Sequence, residues 1–258
     1  MIEIRGLAKT FHRGLPDQRL ALDGIDLALG DGEFAVVIGS NGAGKSTLLN
    51  AIAGEVSADA GTIAIGGVDL TPLRTHARAE WIARVFQDPS IGTAGSMTIE
   101  ENLAVAEQRG RTRTLGLSLT RERRARYAQV LAPLGLGLQD RLGTKVSMLS
   151  GGQRQALALV MAVLTHPALL LLDEHTAALD PRTGEIVMRA TLEAVAQSRL
   201  TTLMVTHNMQ HAIRYGTRLL MMQAGRIVLD VSGAEKASLT VEALIERFHL
   251  TDDKLLLS

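Results

Sequence analysis

The sequence predicts an α/β protein whose core is divided by an all-helical insert, and three observations carry that reading. Strand-like and helical runs alternate along the chain. The apolar runs Ala35-Val36-Val37-Ile38 and Leu169-Leu170-Leu171-Leu172 are continuous, as in parallel strands covered on both faces. Between residues 88 and 165 the strand signal disappears. The α/β core is therefore placed at 1–87 and 166–233, the insert at 88–165 and a helical tail at 234–258.

In order, strands are expected at Ile25 to Leu29, Phe34 to Ile38, Gly61 to Ile65 and Arg84 to Phe86, and later at Leu169 to Leu172, Thr201 to Val205, Leu219 to Met222 and Ile227 to Val231. In the insert, Ile99 to Gln108 starts behind a capping box of Thr98 and Glu101. Thr120 to Ala132 stops at Pro133, Gly135 and Gly137, and a third helix opens at Ser150 and runs to Thr165. The most apolar stretch, Leu157 to Leu172, is too short for a membrane span and is broken by Thr165, His166 and Pro167. The tail ends in a short amphipathic pattern, Val241 to Phe248, that reads as a packing element.

Composition narrows the function classes. The 258 residues are 46% apolar and 21% charged, which supports a buried core and excludes a disordered or fibrous chain. Lys+Arg and Asp+Glu both number 27, so overall charge gives no reason to expect a nucleic-acid partner. There is no cysteine, which excludes disulfides, thiolate chemistry and Cys-ligated zinc or iron–sulfur sites. The first residues, Met1-Ile2-Glu3-Ile4-Arg5, lack the basic and apolar run of a secretory signal, so the chain is expected to stay in the cytoplasm and to meet a membrane only peripherally.

Gly39-Ser40-Asn41-Gly42-Ala43-Gly44-Lys45-Ser46-Thr47 follows a buried-strand pattern and precedes a helical one, Leu48 to Ala53, the context that a Gly-x4-Gly-Lys-Ser/Thr phosphate loop requires. Its glycines let backbone N–H groups turn inward around an anion, and the helix adds its positive end. Lys45 supplies a point charge and the Ser46 hydroxyl can ligate Mg2+, so ATP or GTP is the implied ligand. The bland alternative is a glycine-rich turn without a ligand. A dinucleotide fingerprint fits worse, because the glycines are spaced Gly39-x-x-Gly42-x-Gly44.

The strand Leu169 to Leu172 ends in Asp173-Glu174, and carboxylates there are desolvated unless they meet a cation. A nucleotide-bound Mg2+ supplies one: Asp173 would hold the metal while Glu174 polarises an attacking water. Taken alone, the pair also reads as a turn initiator.

Leu149-Ser150-Gly151-Gly152-Gln153 opens a helix in which Ser150 and Gln153 form a capping box. That explains the serine and the glutamine and leaves two glycines over, which together with the serine make an exposed nest for a second phosphate-binding surface.

With this signature, the phosphate loop and Asp173-Glu174, nearly the whole chain resembles the ATP-binding subunit of an ATP-binding-cassette (ABC) transporter. The resemblance implies a P-loop NTPase (RecA-like) core with an N-terminal antiparallel β subdomain and the helical insert. It implies a cytoplasmic ATPase, peripheral at the inner face of the membrane, that powers import of a small solute through a separate permease and meets a solute-binding protein only indirectly. It also implies a head-to-tail homodimer in which Ser150, Gly151, Gly152 and Gln153 of one copy close over the ATP and Mg2+ held by the other. Gln87 resembles the glutamine that senses the Mg2+ site and the attacking water, and His207 the switch histidine at the γ-phosphate. Phe11 resembles the aromatic that stacks on adenine, and Ala178-Leu179-Asp180 the loop that communicates across the dimer. Asp180-Pro181 reads as a helix N-cap as well.

Where most relatives have proline after the Asp-Glu pair, this chain has His175. The run Asp173 to Pro181, with Phe86-Gln87-Asp88-Pro89, resembles importer ATPases of tryptophan/tyrosine-type amino-acid uptake, although His175 equally reads as a neutral substitution on a tolerant loop. Arg109, Arg111, Arg113, Arg121, Arg123, Arg124 and Arg126 stand against one acid, Glu122, which predicts a local positive face: a solvated surface first, then a contact for anionic lipid or an acidic partner loop, and last one for nucleic acid. The rival function is a soluble ABC ATPase in complex assembly, such as iron–sulfur cluster biogenesis.

Overall fold

The computed structural model describes residues 1–110 and 119–247. Arg111 and Arg113 of the basic run and Phe248 of the tail pattern lie outside the described residues. In chain order the elements are β1 (Ile2–Phe11), β2 (Arg19–Leu29), β3 (Phe34–Gly39), α1 (Lys45–Ala53), β4 (Ala60–Ile65), β5 (Val68–Asp69), α2 (Thr75–Arg78), β6 (Ile82–Val85) and α3 (Pro89–Gly92). They continue with α4 (Ile99–Glu107), α5 (Arg121–Leu131), α6 (Gly151–Val163), β7 (Leu169–Asp173), α7 (Pro181–Ser198), β8 (Thr201–Val205), α8 (Met209–Arg214), β9 (Arg218–Gln223), β10 (Arg226–Ser232) and α9 (Gly233–Ala237). Residues 241–247 are helical. Among the described residues no helix is long and apolar enough to cross a membrane.

The chain divides into two compact units, Met1–Arg74 with the described chain from Thr201, and Thr75–Leu200. The first holds an antiparallel sheet in the order β2-β1-β4-β5 and the strands β10-β9-β3-β8. There β3 runs parallel to both β8 and β9, with Val37 opposite Val205 and Ile38 opposite Met221. All five residues of β8 are buried, as are Phe34 to Ile38 in β3, and burial on both faces is why β3 reads as an unbroken apolar run.

Strand β1 was not among the strands that alternation predicts. Ile2 and Ile4 are buried, but the next buried residue is Leu7, and the pairing to β2 shifts register between Ile4 and Leu7. That bulge, with Gly6 at φ 56, breaks the period of two on which the sequence reading relies.

In the second unit β6 and β7 pair in parallel, with Val85 opposite Leu172. The expected strand Arg84 to Phe86 is found at Ile82–Val85, starting two residues and ending one residue earlier, so Gln87 stands beyond its end. The described residues of 88–165 form no strand; Thr98 and Lys145 make one isolated antiparallel bridge. Helices α4, α5 and α6 share a core with Ile99, Leu103, Tyr127, Leu131 and Leu157, each at most 1% exposed. Burying each such side chain contributes about 1.5–3 kcal/mol. Both predicted capping boxes are present, Thr98 with Glu101 and Ser150 with Gln153.

The predicted positive face is offset in part by ion pairs inside the insert. Arg124 Nε and Nη2 donate to the two carboxylate oxygens of Glu100 at 2.6 and 3.0 Å. Arg126 and Arg123 pair with Glu107, and Arg109 donates to the Ala162 carbonyl at 3.2 Å. The matching acids sit in α4, before the arginine run begins, so counting charge inside the run missed them. Glu107 also accepts from the buried Tyr127 hydroxyl at 2.7 Å, and burial together with that carboxylate pushes the phenol pKa up.

Candidate nucleotide site

In the first unit the loop between β3 and α1 carries Gly39 to Thr47. Gly44 is the N-cap of α1 at φ 103, and no side chain caps that helix. A Cβ on Gly44 would stand 2.4 Å from the Ala21 carbonyl oxygen, so glycine is required on steric as well as conformational grounds. Lys45 is 7% exposed and its ammonium folds back over the loop, donating to the carbonyls of Gly39 at 2.8 Å and Ser40 at 2.9 Å. Ser46, Ser40 and Asn41 are exposed. The loop is pinned from outside by Arg19, whose Nη2 donates to the Gly42 carbonyl at 2.7 Å. Arg19 is in turn the cross-strand partner of Phe11, which places the aromatic at the neighbouring strand end, half-buried, with the Lys9 ammonium 5.6 Å from its ring centre.

His207 follows β8, whose carboxyl end lies beside that of β3. The chain around it is fixed on both sides: Thr206 N–H donates to the Val37 carbonyl at 3.1 Å, and Asn208 caps α8 by accepting from His211 N–H at 3.0 Å. Burial first, then the charges of Arg214 and His207, hold the His211 imidazole below its ordinary pKa. At the other end of α8, the buried Lys236 of α9 donates to the carbonyls of Ile213 at 2.7 Å and Tyr215 at 3.0 Å, which gives the chain after β10 the packing role expected of it.

In the second unit, Asp173 and Glu174 emerge at the carboxyl end of β7 and Gln87 follows the adjacent β6. Ligands of open α/β sheets bind outside such carboxyl ends. The Phe86 carbonyl accepts from Gln155 Nε2 at 2.9 Å, and Asp88 caps α3 by accepting from Ser90 N–H at 2.8 Å, so exposed Gln87 stands between two fixed neighbours. Glu174 has φ 44, left-handed for a residue with a side chain, and its carbonyl accepts from Ala177 N–H at 2.9 Å.

The tolerant-loop reading of His175 is corrected. His175 is 2% exposed, and its Nε2 lies 3.1 Å from Thr191 Oγ1. Because the Thr191 hydroxyl donates to the Val187 carbonyl at 2.8 Å, His175 Nε2–H is the donor in this chain of bonds. The residue in the proline position thus ties the turn after Glu174 to α7.

Ser150 caps α6, and the two glycines of the signature differ. Gly151 is exposed, and a Cβ there would meet only Leu179 Cδ2 at 3.8 Å. Gly152 is buried, and its Cβ would fall 1.9 Å from Thr183 Cγ2. Asp180 caps α7 as predicted, accepting from Thr183 N–H at 3.1 Å, and Thr183's hydrogen bonds hold its carboxyl below the usual range. Arg84 is the residue that the sequence reading missed: its guanidinium bonds Asp173, and an arginine within a strand carries no local signal.

A Gly-Lys-Ser loop at the end of a parallel strand and a Walker-type Asp-Glu pair at the end of another define a nucleotide-binding ATPase of the P-loop class. Residues 22–177 match the ABC transporter family, and the chain belongs to it. It is 44% identical, over 96% of its length and 99% of the relative's, to a tyrosine transport ATP-binding protein of Clostridioides difficile. It is 35% identical, over 90% of its length and 96% of the relative's, to a lipoprotein-releasing system ATP-binding protein of Caulobacter vibrioides. Its fold matches the dimeric ATP-binding cassette MJ0796 in a post-hydrolysis state bound to ADP and Pi, with a TM-score of 0.76 and 28% identity over 90% of this chain and 98% of that one. The α/β fold with a P-loop NTPase core and the ATPase activity that the resemblance implied are therefore those of this chain's family.

Proposed function

We propose that the chain is the ATP-hydrolysing subunit of an importer that moves an amino acid of the tyrosine type through a separate membrane permease. The observation that carries this reading is the 44% identity to a tyrosine transport ATP-binding protein across almost the whole of both chains.

In this reading Gly39 to Thr47 cradle the phosphates, Phe11 stacks on adenine, and His207 holds the γ-phosphate. Glu174 takes a proton from the attacking water, with Gln87 orienting it. The donor types suit magnesium: the Ser46 hydroxyl, the Asp173 carboxylate and the Gln87 amide oxygen are all hard oxygen ligands. Among the described residues no group of three or more His, Cys, Asp or Glu is placed to hold a metal, and an ion that draws its other ligands from phosphate and water needs none. Bound with the nucleotide, Mg2+ supplies neutralisation of phosphate charge. Ser150, Gly151, Gly152 and Gln153 of a second copy close the site, which makes the working form a homodimer at the cytoplasmic face of the membrane. Residues 88–165 form the insert that faces the permease, and a solute-binding protein acts on the other side of it.

The test is co-purification followed by transport. A polytopic membrane protein should accompany the chain, and proteoliposomes holding both should take up tyrosine with ATP. Soluble scaffold proteins as the companions would overturn transport in favour of the assembly alternative; ATP-driven uptake of a different solute, indifferent to tyrosine, would overturn the amino-acid assignment.

A further inference from the structure

We propose that Arg84 is a resident counter-cation for Asp173: it holds that carboxylate while the site lacks metal and yields it to the nucleotide-borne Mg2+, so that it sets the Mg2+ concentration at which the site fills. The inference rests on the reading of Asp173 as a metal ligand.

Arg84 Nη2 lies 2.6 Å from Asp173 Oδ2, and the two side chains are only 9% and 17% exposed. Strand geometry produces the pairing. Arg84 stands opposite Leu171 in the parallel register of β6 and β7, and side chains two residues apart share a face, which brings Asp173 within reach. The guanidinium is also held over the Phe86 ring, 4.6 Å from its centre. The other residues of β6, Ile82, Ala83 and Val85, are buried and apolar. A guanidinium on such a buried strand is expensive to desolvate, and the Asp173 carboxylate supplies an offsetting charge. Without Arg84 the same carboxylate would be left with a large uncompensated desolvation penalty whenever nucleotide departs.

The consequence follows from Coulomb's law. A dication and a guanidinium drawing on one carboxylate compete for its lone pairs and repel each other. Removing Arg84 should therefore act with opposite signs on two observables: the metal-free protein loses stability, and Mg2+ binds with the nucleotide more tightly. A residue that merely scaffolds Asp173 would lower stability and leave Mg2+ binding unchanged or weaker.

The experiment titrates Mg2+ into the full chain with a fluorescent ATP analogue and reads analogue binding, which does not depend on turnover. In Arg84→Gln, and in Arg84→Met should the first variant fold poorly, the half-saturating Mg2+ concentration should fall about three- to tenfold, while the unfolding temperature without nucleotide drops. Arg84→Lys, which keeps the charge, should stay near wild type in its Mg2+ requirement. An unchanged or higher Mg2+ requirement in both neutral variants overturns the proposal. Asp173→Asn separates the two readings: if it leaves the Mg2+ dependence untouched, Asp173 is not a ligand and the site assignment itself fails. If it raises the requirement while the neutral Arg84 variants do not lower it, only the role of Arg84 fails. On the unaltered chain, the Arg84 guanidinium NMR signal should shift with a non-hydrolysable ATP analogue plus Mg2+ and stay put with the analogue in EDTA; equal spectra would also overturn it.

Discussion

Two helices of this chain begin on glycine-rich turns, and they begin in different ways. Helix α1 opens at Gly44 in a left-handed conformation with no side-chain cap, whereas α6 opens at Ser150 with an extended backbone and a reciprocal capping box. The first start has no side chain over its positive end, an arrangement that suits an anion. The second closes on itself, with Ser150 Oγ accepting from Gln153 N–H and Gln153 Oε1 accepting from Ser150 N–H. In the phosphate loop, ligand chemistry and backbone sterics demand the same glycine. In the signature they separate: Gly152 answers to the packing of Thr183, and Gly151 stands open.

The sharpest way to break this contrast is Gly44→Ala. The added methyl meets a backbone carbonyl at 2.4 Å at φ 103, and no side chain can move to relieve it. Nucleotide binding in an equilibrium titration should be lost, with folding stability reduced by about 2–4 kcal/mol. Gly152→Ala should cost about 1–3 kcal/mol in denaturant unfolding, because it forces the same kind of overlap against a side chain. Unlike the first, it should be rescued in large part by Thr183→Ala, which deletes the clashing Cγ2.

His175→Ala tests the tie behind the Asp173-Glu174 pair. Removing the donor to Thr191 and leaving a cavity in place of a ring that is 2% exposed should cost about 2 kcal/mol in thermal or denaturant unfolding. A loss within the scatter expected of surface substitutions would return His175 to the status of a tolerated loop residue. The smallest effect belongs to Gly151→Ala. Its methyl enters ordinary contact at 3.8 Å, so stability should stay within about 0.5 kcal/mol of wild type. Its ATPase rate should nonetheless fall, because in the proposed dimer this position faces the other copy's nucleotide.

The contrast also shows how far the sequence could be read. The phosphate loop was legible because its chemistry needs contiguous residues, Gly39 to Thr47, in a fixed strand-to-helix setting. Caps were legible for the same reason: Thr98 with Glu101, Ser150 with Gln153, and Asp180 before Pro181 are local. What escaped depends on partners distant in sequence. Arg84 acquires its meaning from Asp173 only through the pairing of β6 with β7. The arginine run looked more unbalanced than it is because two of its partners, Glu100 and Glu107, belong to the preceding helix. His175 looked like loop because it follows two carboxylates, and nothing local announces that α7 covers it. Strand β1 was hidden by a bulge that resets the alternation at Gly6.

The account turns on Glu174 acting on a triphosphate held by Gly39 to Thr47 and enclosed by a second copy. The direct measurement is sedimentation of the Glu174→Gln variant with saturating ATP and Mg2+, alongside its hydrolysis rate. The account predicts a nucleotide-filled dimer whose turnover is slowed about 10²-fold or more. A variant that hydrolyses ATP at the wild-type rate, or that binds ATP yet sediments as a single chain, would contradict it.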